Sequence, residues 1–195
     1  MQAVGRTLAE RLLGSYQRTS GPDWPWFESS VTYCNARLPQ ALLVAGARMA
    51  HEEMTAVGLR SLTWLCSIQH TADGHFAPIG SNGFYVRGRA KAAFDQQPVE
   101  ACATIAACLE AQRVTGEAQW AERARAAFNW FLGQNQLQQM LYDPLTGGCR
   151  DGLHADRVNE NQGAESTLSL LLSLLALRTA ERSSITTPTA SGTTS

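Results

Sequence analysis

The stretch Gln97–Gln134, "QPVEACATIAACLEAQRVTGEAQWAERARAAFNWFLGQ", holds two helical patterns separated by a short turn. On either side of the turn "VTGEAQW", small and apolar residues recur at the spacing of a helix face. We therefore predict helices at about 98–114 and 117–134. Because so short a link makes neighbouring helices antiparallel, the stretch predicts a helical hairpin.

The same periodicity covers most of the remaining chain, and no convincing strand pattern interrupts it. Four further helices are predicted, at about 3–17, 38–50, 52–69 and 164–181. Another short link joins the second helix to the third. The sequence therefore predicts an all-α fold built of antiparallel helix hairpins.

The other three connections are long and rich in glycine, proline and aromatic residues. They span about 18–37, 70–97 and 135–163. Because long loops occur only at every second connection, antiparallel helices would bring all three to one end of the molecule. Loops of this length in a compact domain are usually functional.

A repeat of about 65 residues supports this arrangement. The segment Gln97–Ala101, "QPVEA", recurs as Gln162–Ser166, "QGAES", and each copy opens an apolar helix after a long loop. A weaker echo, "LPQA", begins at Leu38. The sequence thus predicts about three hairpins within a helical domain at 1–182. The Ser/Thr-rich segment 183–195 is predicted to be a disordered tail.

The composition argues against several classes of function. With 16 basic and 17 acidic residues, the chain lacks the basic excess of a nucleic-acid-binding protein. Five cysteines, an odd number without a CxxC pair, favour a reduced, cytoplasmic setting. The longest apolar run, Leu168–Leu177, is too short to span a bilayer, so no membrane association is expected. No nucleotide-binding loop or metal-ligand spacing occurs, so we predict no cofactor and no metal.

The long loops carry the residues that suggest a function. Pro22 and Pro25 keep the segment Gly21–Asn35, "GPDWPWFESSVTYCN", out of any helix, yet it holds four aromatic residues. Rings beside carboxylates, amides and arginine are typical of carbohydrate sites, because a sugar stacks on a ring and hydrogen-bonds its hydroxyls to planar groups. The candidate binding residues are Asp23, Trp24, Trp26, Tyr33, Asn35, Arg37, Tyr85, Gln97, His154 and Asn161. The candidate catalytic carboxylates are Glu28, Glu100, Asp151 and Glu165.

Each candidate also has a structural interpretation. Glu100 and Glu165 stand in the first turns of their predicted helices, where a glutamate can cap the helix or make a buried hydrogen bond. Trp24 and Trp26 could form a hydrophobic lid over the bundle. Asp151 precedes a glycine, as turn residues often do. The residues alone leave these alternatives open.

Two segments resemble a known group of proteins. They are "DWPWFESSVTYCNARLPQALL", from residue 23, and "DPLTGGCRDGLHADRVNENQGAESTLSLLLSL", from residue 143. Both are similar to the helical module that follows the glycosyltransferase part of some bacterial group-one glycosyltransferase proteins. More broadly, the alternating long and short connections, the repeat of about 65 residues and the loops with aromatic residues and carboxylates resemble the α/α-toroid, or six-hairpin, carbohydrate-active enzymes. The similarity covers most of residues 20–180.

The resemblance implies a toroid of antiparallel helix pairs, with sugar binding or sugar chemistry at the long-loop end. The residues that match the pattern are Asp23, Trp24, Trp26, Glu28, Asn35, Arg37, Asp151, Asn161 and Glu165. Cys34 departs from it, because an acidic residue is expected between Tyr33 and Asn35. This departure weakens the case for a catalytic carboxylate in the first loop.

The chain contains half of what a closed toroid needs. Six hairpins of this repeat length require about 390 residues, and three are present. We expect this chain to be part of a longer protein with an upstream glycosyltransferase domain. Alternatively, the half-toroid stands alone, or a second copy completes it.

The leading hypothesis is a glycosyltransferase-associated, carbohydrate-active domain that binds or processes a glycan in a cleft formed by the three long loops. Hydrolysis of a glycosidic bond would need two flanking carboxylates. One alternative is a non-catalytic module that binds a sugar or a protein. A weaker alternative is an isomerase like those that epimerise amino sugars, with His75 or His154 as proton carrier. The sequence leaves open whether the domain is an enzyme.

Overall fold

The computed structural model describes residues 2–185. Six α-helices account for most of them: α1 Gln2–Thr19, α2 Arg37–Met49, α3 Glu52–Ile68, α4 Pro98–Thr115, α5 Ala118–Asn129 and α6 Ala164–Ile185. Four short strands form two antiparallel pairs: β1 Ser30–Val31 with β2 Tyr85–Val86, and β3 Gly152–Leu153 with β4 Val158–Asn159. The predicted all-α class is confirmed.

The predicted helices match the observed ones closely, except at two ends. The fifth helix ends at Asn129 instead of 134, because the chain continues in turns and Gly133 adopts a left-handed conformation with φ of 97°. The sixth helix runs on to Ile185. Residues 183–185 of the predicted tail are therefore helical, and the rest of that segment lies outside the described residues.

Helices α2, α4 and α6 pack in sequence, and α1, α3 and α5 pack against them. Helix α2 packs most extensively on α3, and α4 on α5, which confirms the two hairpins with short links. Helix α4 also contacts α2 on one side and α6 on the other, so α2, α4 and α6 form an inner row. Helices α1, α3 and α5 each contact at least one of these three helices, and we refer to them as the outer row.

Small side chains allow α4 to sit at the centre of this arrangement. On α4, Ala103, Ala107 and Ala111 are fully buried, and on α5 Ala124 and Ala127 are too. With little side chain between them, two helices approach closely and bury their backbones against each other. Helix α4 has no continuous polar face, which suits a helix surrounded by neighbours.

The three long loops are hydrogen-bonded to one another, as expected if they share one end of the molecule. Strand β1 of the first loop pairs with β2 of the second. Gln96 of the second loop pairs with Leu153 of the third. The contact with the third loop requires a glycine, because a Cβ at Gly152 would overlap the Gln96 carbonyl oxygen. The loops therefore form one connected layer over the starts of α2, α4 and α6.

None of the helices in residues 2–185 is long and apolar enough to cross a bilayer. The five cysteines are free thiols.

The packing of the hairpins predicts the effect of truncating the fully buried Leu62 of α3. Leu62→Ala removes buried apolar surface and leaves a cavity, so it should lower the free energy of unfolding by about 2–5 kcal/mol. The control, Leu145→Ala, alters a side chain that is 95% exposed and should change it by less than about 0.5 kcal/mol. Urea denaturation at fixed protein concentration measures both, and equal effects would contradict the assigned packing.

Candidate functional site

The tryptophans of the first loop belong to the hydrophobic core. Trp24 is 2% exposed and Trp26 is fully buried. The Trp24 ring packs edge-on against Trp64 and Tyr85, at centroid distances of 4.9 and 5.0 Å. Its Nε1 donates to the carbonyl oxygen of Glu28, 2.7 Å away. Neither ring has a free face for stacking on a sugar in this conformation, so the lid interpretation describes them better than the predicted sugar platform.

Tyr85 is part of the same cluster. Its ring lies stacked on Trp64 at a centroid distance of 6.4 Å and an interplanar angle of 16°. Because Tyr85 also belongs to β2, the aromatic cluster fixes the second loop against the first. Tyr85 is half-buried, so it has this packing role, and its contact with a ligand stays a prediction.

The buried carboxylate of Glu100 ties the first loop to the start of α4. Glu100 is 2% exposed, and its oxygens accept from the backbone N–H of Cys34 and Asn35. The Asn35 side-chain Nδ2 donates to the same carboxylate over 2.9 Å. Glu100 therefore does not cap its own helix. It makes the buried hydrogen bonds that the structural interpretation allowed, and it uses the side chain of the buried Asn35.

Burial raises the pKa of the Glu100 carboxyl, and the three hydrogen-bond donors only partly offset that effect. Burial also raises the pKa of the neighbouring Cys34 thiol, and the nearby Glu100 adds to the shift. The thiol that replaces the expected acid is therefore neutral at physiological pH. The first loop presents no ionised group at this position.

Tyr33 and Glu165 form a bridge between the first loop and the start of α6. The Tyr33 hydroxyl donates to Glu165 Oε1 over 2.9 Å, although 132 residues separate them in the chain. Tyr33 is 46% exposed, so part of the residue faces solvent while Glu165 holds its hydroxyl. Burial and the adjacent Glu165 carboxylate raise the pKa of Tyr33 to about 12. The phenol therefore stays protonated and remains a donor.

Asp151 organises the start of α6. Its carboxylate accepts from the Gly163 backbone N–H at 2.8 Å, from the Ser166 hydroxyl at 2.6 Å and from Asn161 Nδ2. Burial alone would raise the pKa of the Asp151 carboxyl, but these three bonds outweigh it and hold the pKa below its ordinary value. Asp151 is thus an ionised group that fixes the third loop on the helix.

A histidine and an aspartate pair where the second and third loops meet. His154 Nδ1 lies 2.5 Å from Asp95 Oδ1, and both side chains are partly exposed. An aspartate on Nδ1 leaves Nε2 of the imidazole free to face a ligand. The other histidine that was considered, His75, lies against α5 in a hollow of about 300 Å³. The two histidines do not act together.

The remaining candidates lie on the surface near these groups. Asp23 and Glu28 are exposed on the first loop. Arg37, at the start of α2, donates to Gln40 Oε1 at 2.8 Å and is exposed. Gln97 precedes α4 without making a side-chain cap. These residues remain accessible to a ligand, although within residues 2–185 no side-chain hydrogen bond or ion pair joins them to the Tyr33–Glu165 pair.

Sequence reasoning missed two groups as site residues. Asp95 lies in the second loop and contacts His154. Ser166 ends the second copy of the repeat and donates to Asp151. Neither residue was among the candidates. Their partners are 59 and 15 residues away in the chain. One sequence signal was available. Glu100 and Glu165 each stand three residues after a glutamine, and this repeat indicates that α4 and α6 begin beside the polar residues of the long loops.

The arrangement offers binding groups of several kinds at one end of the inner row. It combines a partly exposed aromatic residue, carboxylates, an oriented imidazole and an exposed guanidinium. Among residues 2–185, no group of three or more His, Cys, Asp or Glu side chains is placed to hold a metal ion. We define the polar end as Tyr33, Arg37, Asp95, Asp151, His154, Asn161 and Glu165.

Comparisons with known proteins do not assign this site. No protein-family profile matches the chain, and no curated protein matches it at a significant level. The chemistry of the polar end therefore has to be inferred from its own geometry.

The hydrogen bond between Tyr33 and Glu165 predicts a titration difference. In the wild-type protein Tyr33 should ionise near its pKa of about 12. Glu165→Gln removes a negative charge and a strong acceptor, so the pKa of Tyr33 should fall towards the ordinary value of 10. Ultraviolet difference titration against Tyr33→Phe isolates the signal of this phenol. Glu122→Gln, an exposed carboxylate on α5, is the matched control, and an equal shift in it would contradict the assignment.

The Glu100 carboxylate predicts a loss of stability when it is removed. Glu100→Ala leaves three buried donors without an acceptor, so the free energy of unfolding should fall by about 1–3 kcal/mol. Glu122→Ala, on the exposed face of α5, should change it by less than about 0.5 kcal/mol. Chemical denaturation at neutral pH compares the two. Amide hydrogen exchange at Cys34 and Asn35 should also accelerate. Unchanged exchange at these two amides would contradict their hydrogen bonds to Glu100.

Proposed function

We propose that the polar end binds a glycan. The observation that carries the proposal is Tyr33, which is partly exposed to solvent while its hydroxyl is held by Glu165. A fixed ring costs little entropy on binding and offers an apolar face to a pyranose. The adjacent carboxylate can accept hydrogen bonds from sugar hydroxyls. Tyr33 thus takes the role that the sequence had suggested for the tryptophans.

The surrounding groups suit the hydroxyls of the same ligand. Arg37 is a donor, and the free Nε2 of His154 is an acceptor when Nδ1–H donates to Asp95. Asn161 offers both a donor and an acceptor. They come from the first and third long loops, which pair with the second. A ligand lying across the loop layer would touch residues from separate hairpins. This is how a helical scaffold gathers a polar site from distant parts of its sequence.

Recognition is better supported than hydrolysis. Two of the four candidate carboxylates, Glu100 and Asp151, are occupied by three hydrogen bonds each. The pKa of Asp151 lies below its ordinary value, so it is a poor proton donor at neutral pH. Glu165 and Glu28 remain as the accessible carboxylates. We therefore place glycan binding first and treat turnover as a separate question.

Proton transfer on a sugar is a second candidate, favoured by the Asp95–His154 pair. An imidazole oriented by a carboxylate at 2.5 Å is a suitable general base. An epimerase needs such a group beside the carbon that loses a proton. If the polar end is catalytic, His154 is the residue we expect to carry that step.

We further propose that the hairpins belong to an α/α toroid associated with a glycosyltransferase. The alternating inner and outer rows support this arrangement, as does the position of the long loops at the starts of the inner helices. The resemblance of the first and third loops to glycosyltransferase-linked modules supplies the biological setting. In that setting, the domain would hold the glycan to which the transferase adds a sugar.

Glycan binding is tested by screening the protein on a glycan array and measuring the best ligand by calorimetry. Tyr33→Ala should weaken binding about tenfold, or about 1.4 kcal/mol, because it removes the stacking face. Tyr33→Phe keeps the ring and should lose less. Glu122→Gln should bind like wild type. No binding on the array, or equal binding by Tyr33→Ala, would overturn the proposal.

Turnover is then followed with the ligand that binds. Incubation with wild type, Glu165→Gln and His154→Asn separates three outcomes by mass spectrometry and NMR of the sugar. Cleavage that Glu165→Gln abolishes supports a hydrolase, whereas inversion at one carbon that His154→Asn abolishes supports an epimerase. An unchanged glycan supports a binding module.

A further inference from the structure

Helix α6 exposes a wide apolar surface, although it packs against α4. Its buried side, facing α4, carries Ser166, Ser169, Leu170, Ser173 and Leu177. The opposite side carries the exposed leucines Leu168, Leu171, Leu172, Leu174 and Leu175. We call these five residues the leucine face. A helix that is apolar all round is normally surrounded by protein, as α4 is, so the leucine face lacks a partner within residues 2–185.

The row arrangement shows which neighbours α6 is missing. Helix α2 has α3 as its outer-row partner, and α4 has α5. Helix α6 touches α4 strongly and α5 weakly, and no outer helix of its own covers it within residues 2–185. Within the same described residues, α6 also has no inner neighbour on the side away from α4. Two helices, one outer and one inner, would cover the leucine face.

Helix α1, at the opposite edge, also lacks a neighbour within the described residues, in its case an inner helix. It lies in the outer row beside α2 and α3, but no inner helix precedes it within residues 2–185. A groove of about 1330 Å³ runs between α1 and α2. Its apolar lining includes Leu8, Leu12, Val44 and Met49, and Leu8 is 59% exposed. The groove is bordered by one outer and one inner helix, the two neighbours that α6 needs.

We propose that a second copy of this chain fills the groove with its own α6. In that position, α6 of one copy pairs with α1 of the other as α4 pairs with α5, and it packs beside α2 as it packs beside its own α4. We call this contact of α6 with the partner's α1 and α2 the seam. A two-fold axis relating the copies forms the seam twice. Two copies supply six inner and six outer helices, so the contacts close into one ring. The inference rests in part on the proposed toroid arrangement.

The start of α6 carries an acidic residue that matches the basic groove, whereas its last turns carry charges of both signs, Arg178, Glu181 and Arg182. The charged residues that line the groove are Arg6, Arg37 and Arg48, all of them basic. Inner helices run in the same direction, so the start of the incoming α6, with Glu165, lies at the end of the groove where Arg37 begins α2. The partner's third loop then borders Tyr33 and Arg37. The polar end is completed by residues of the second copy.

Light scattering after gel filtration tests the assembly. The chain of 21.2 kDa should run as a dimer of about twice that mass. Leu172→Arg in the leucine face and Leu8→Arg in the groove should each raise the dimer Kd at least tenfold, because each places a charge in the seam. Thr63→Arg, which changes an exposed residue of α3 outside both the leucine face and the groove, should remain dimeric. Circular dichroism confirms that each variant keeps its helix content.

Mixing the variants separates this seam from other pairings. An equimolar mixture of Leu172→Arg and Leu8→Arg retains one unaltered seam per dimer, so it should associate more tightly than either variant alone. If α6 instead paired with α6, Leu8→Arg alone would stay fully dimeric, which overturns the proposal. A wild-type monomer at micromolar concentration also overturns it, and the two faces would then be covered by a different polypeptide. A monomer that still binds the glycan leaves the proposed function standing, whereas a dimer that binds none refutes only that function.

Discussion

The buried Glu100 carboxylate is the interaction on which the loop end of the molecule depends. It lies in the first turn of the central helix α4 and accepts three hydrogen bonds from Cys34 and Asn35, just before α2 begins. Placing a carboxylate there is costly, since burial raises its pKa in spite of the three donors. That cost is balanced only while the first loop keeps one conformation. The position of Tyr33, the neighbour of Cys34, follows from it.

A carboxylate also ties a loop to the start of α6, but here the loop supplies the carboxylate. Asp151 lies in the third loop instead of the helix, and it accepts from Gly163 and Ser166 at the helix start. In both places a carboxylate joins a loop to the beginning of an inner helix, where backbone N–H groups lack partners. Glu165 is then free of a capping role and can reach Tyr33. The rigid carboxylates hold the scaffold, and the exposed ones are left for a ligand.

The sequence predicts the helices well because their signal is local. Apolar periodicity and short turns place α2, α3 and α4 within about one residue of their observed ends. It fails where the answer depends on distant partners. Nothing near Trp26 in the chain shows that its ring faces Trp64, and nothing near His154 shows that Asp95 lies beside it. The aromatic content of the first loop therefore suggested a sugar platform, whereas long-range packing buries both tryptophans and leaves Tyr33 outside.

The contrast between α4 and α6 extends the same physical reasoning to the edges of the molecule. Both helices lack a continuous polar face, but within residues 2–185 α4 packs against α2, α3, α5 and α6, whereas α6 packs against α4 and α5. Leaving the leucine face in water would forgo the burial that stabilises every other inner helix. Closing the row would recover that burial and would also turn an open layer of loops into an enclosed cleft. Since a sugar binds more tightly when it is surrounded than when it lies on an open surface, assembly and glycan recognition are expected to reinforce each other.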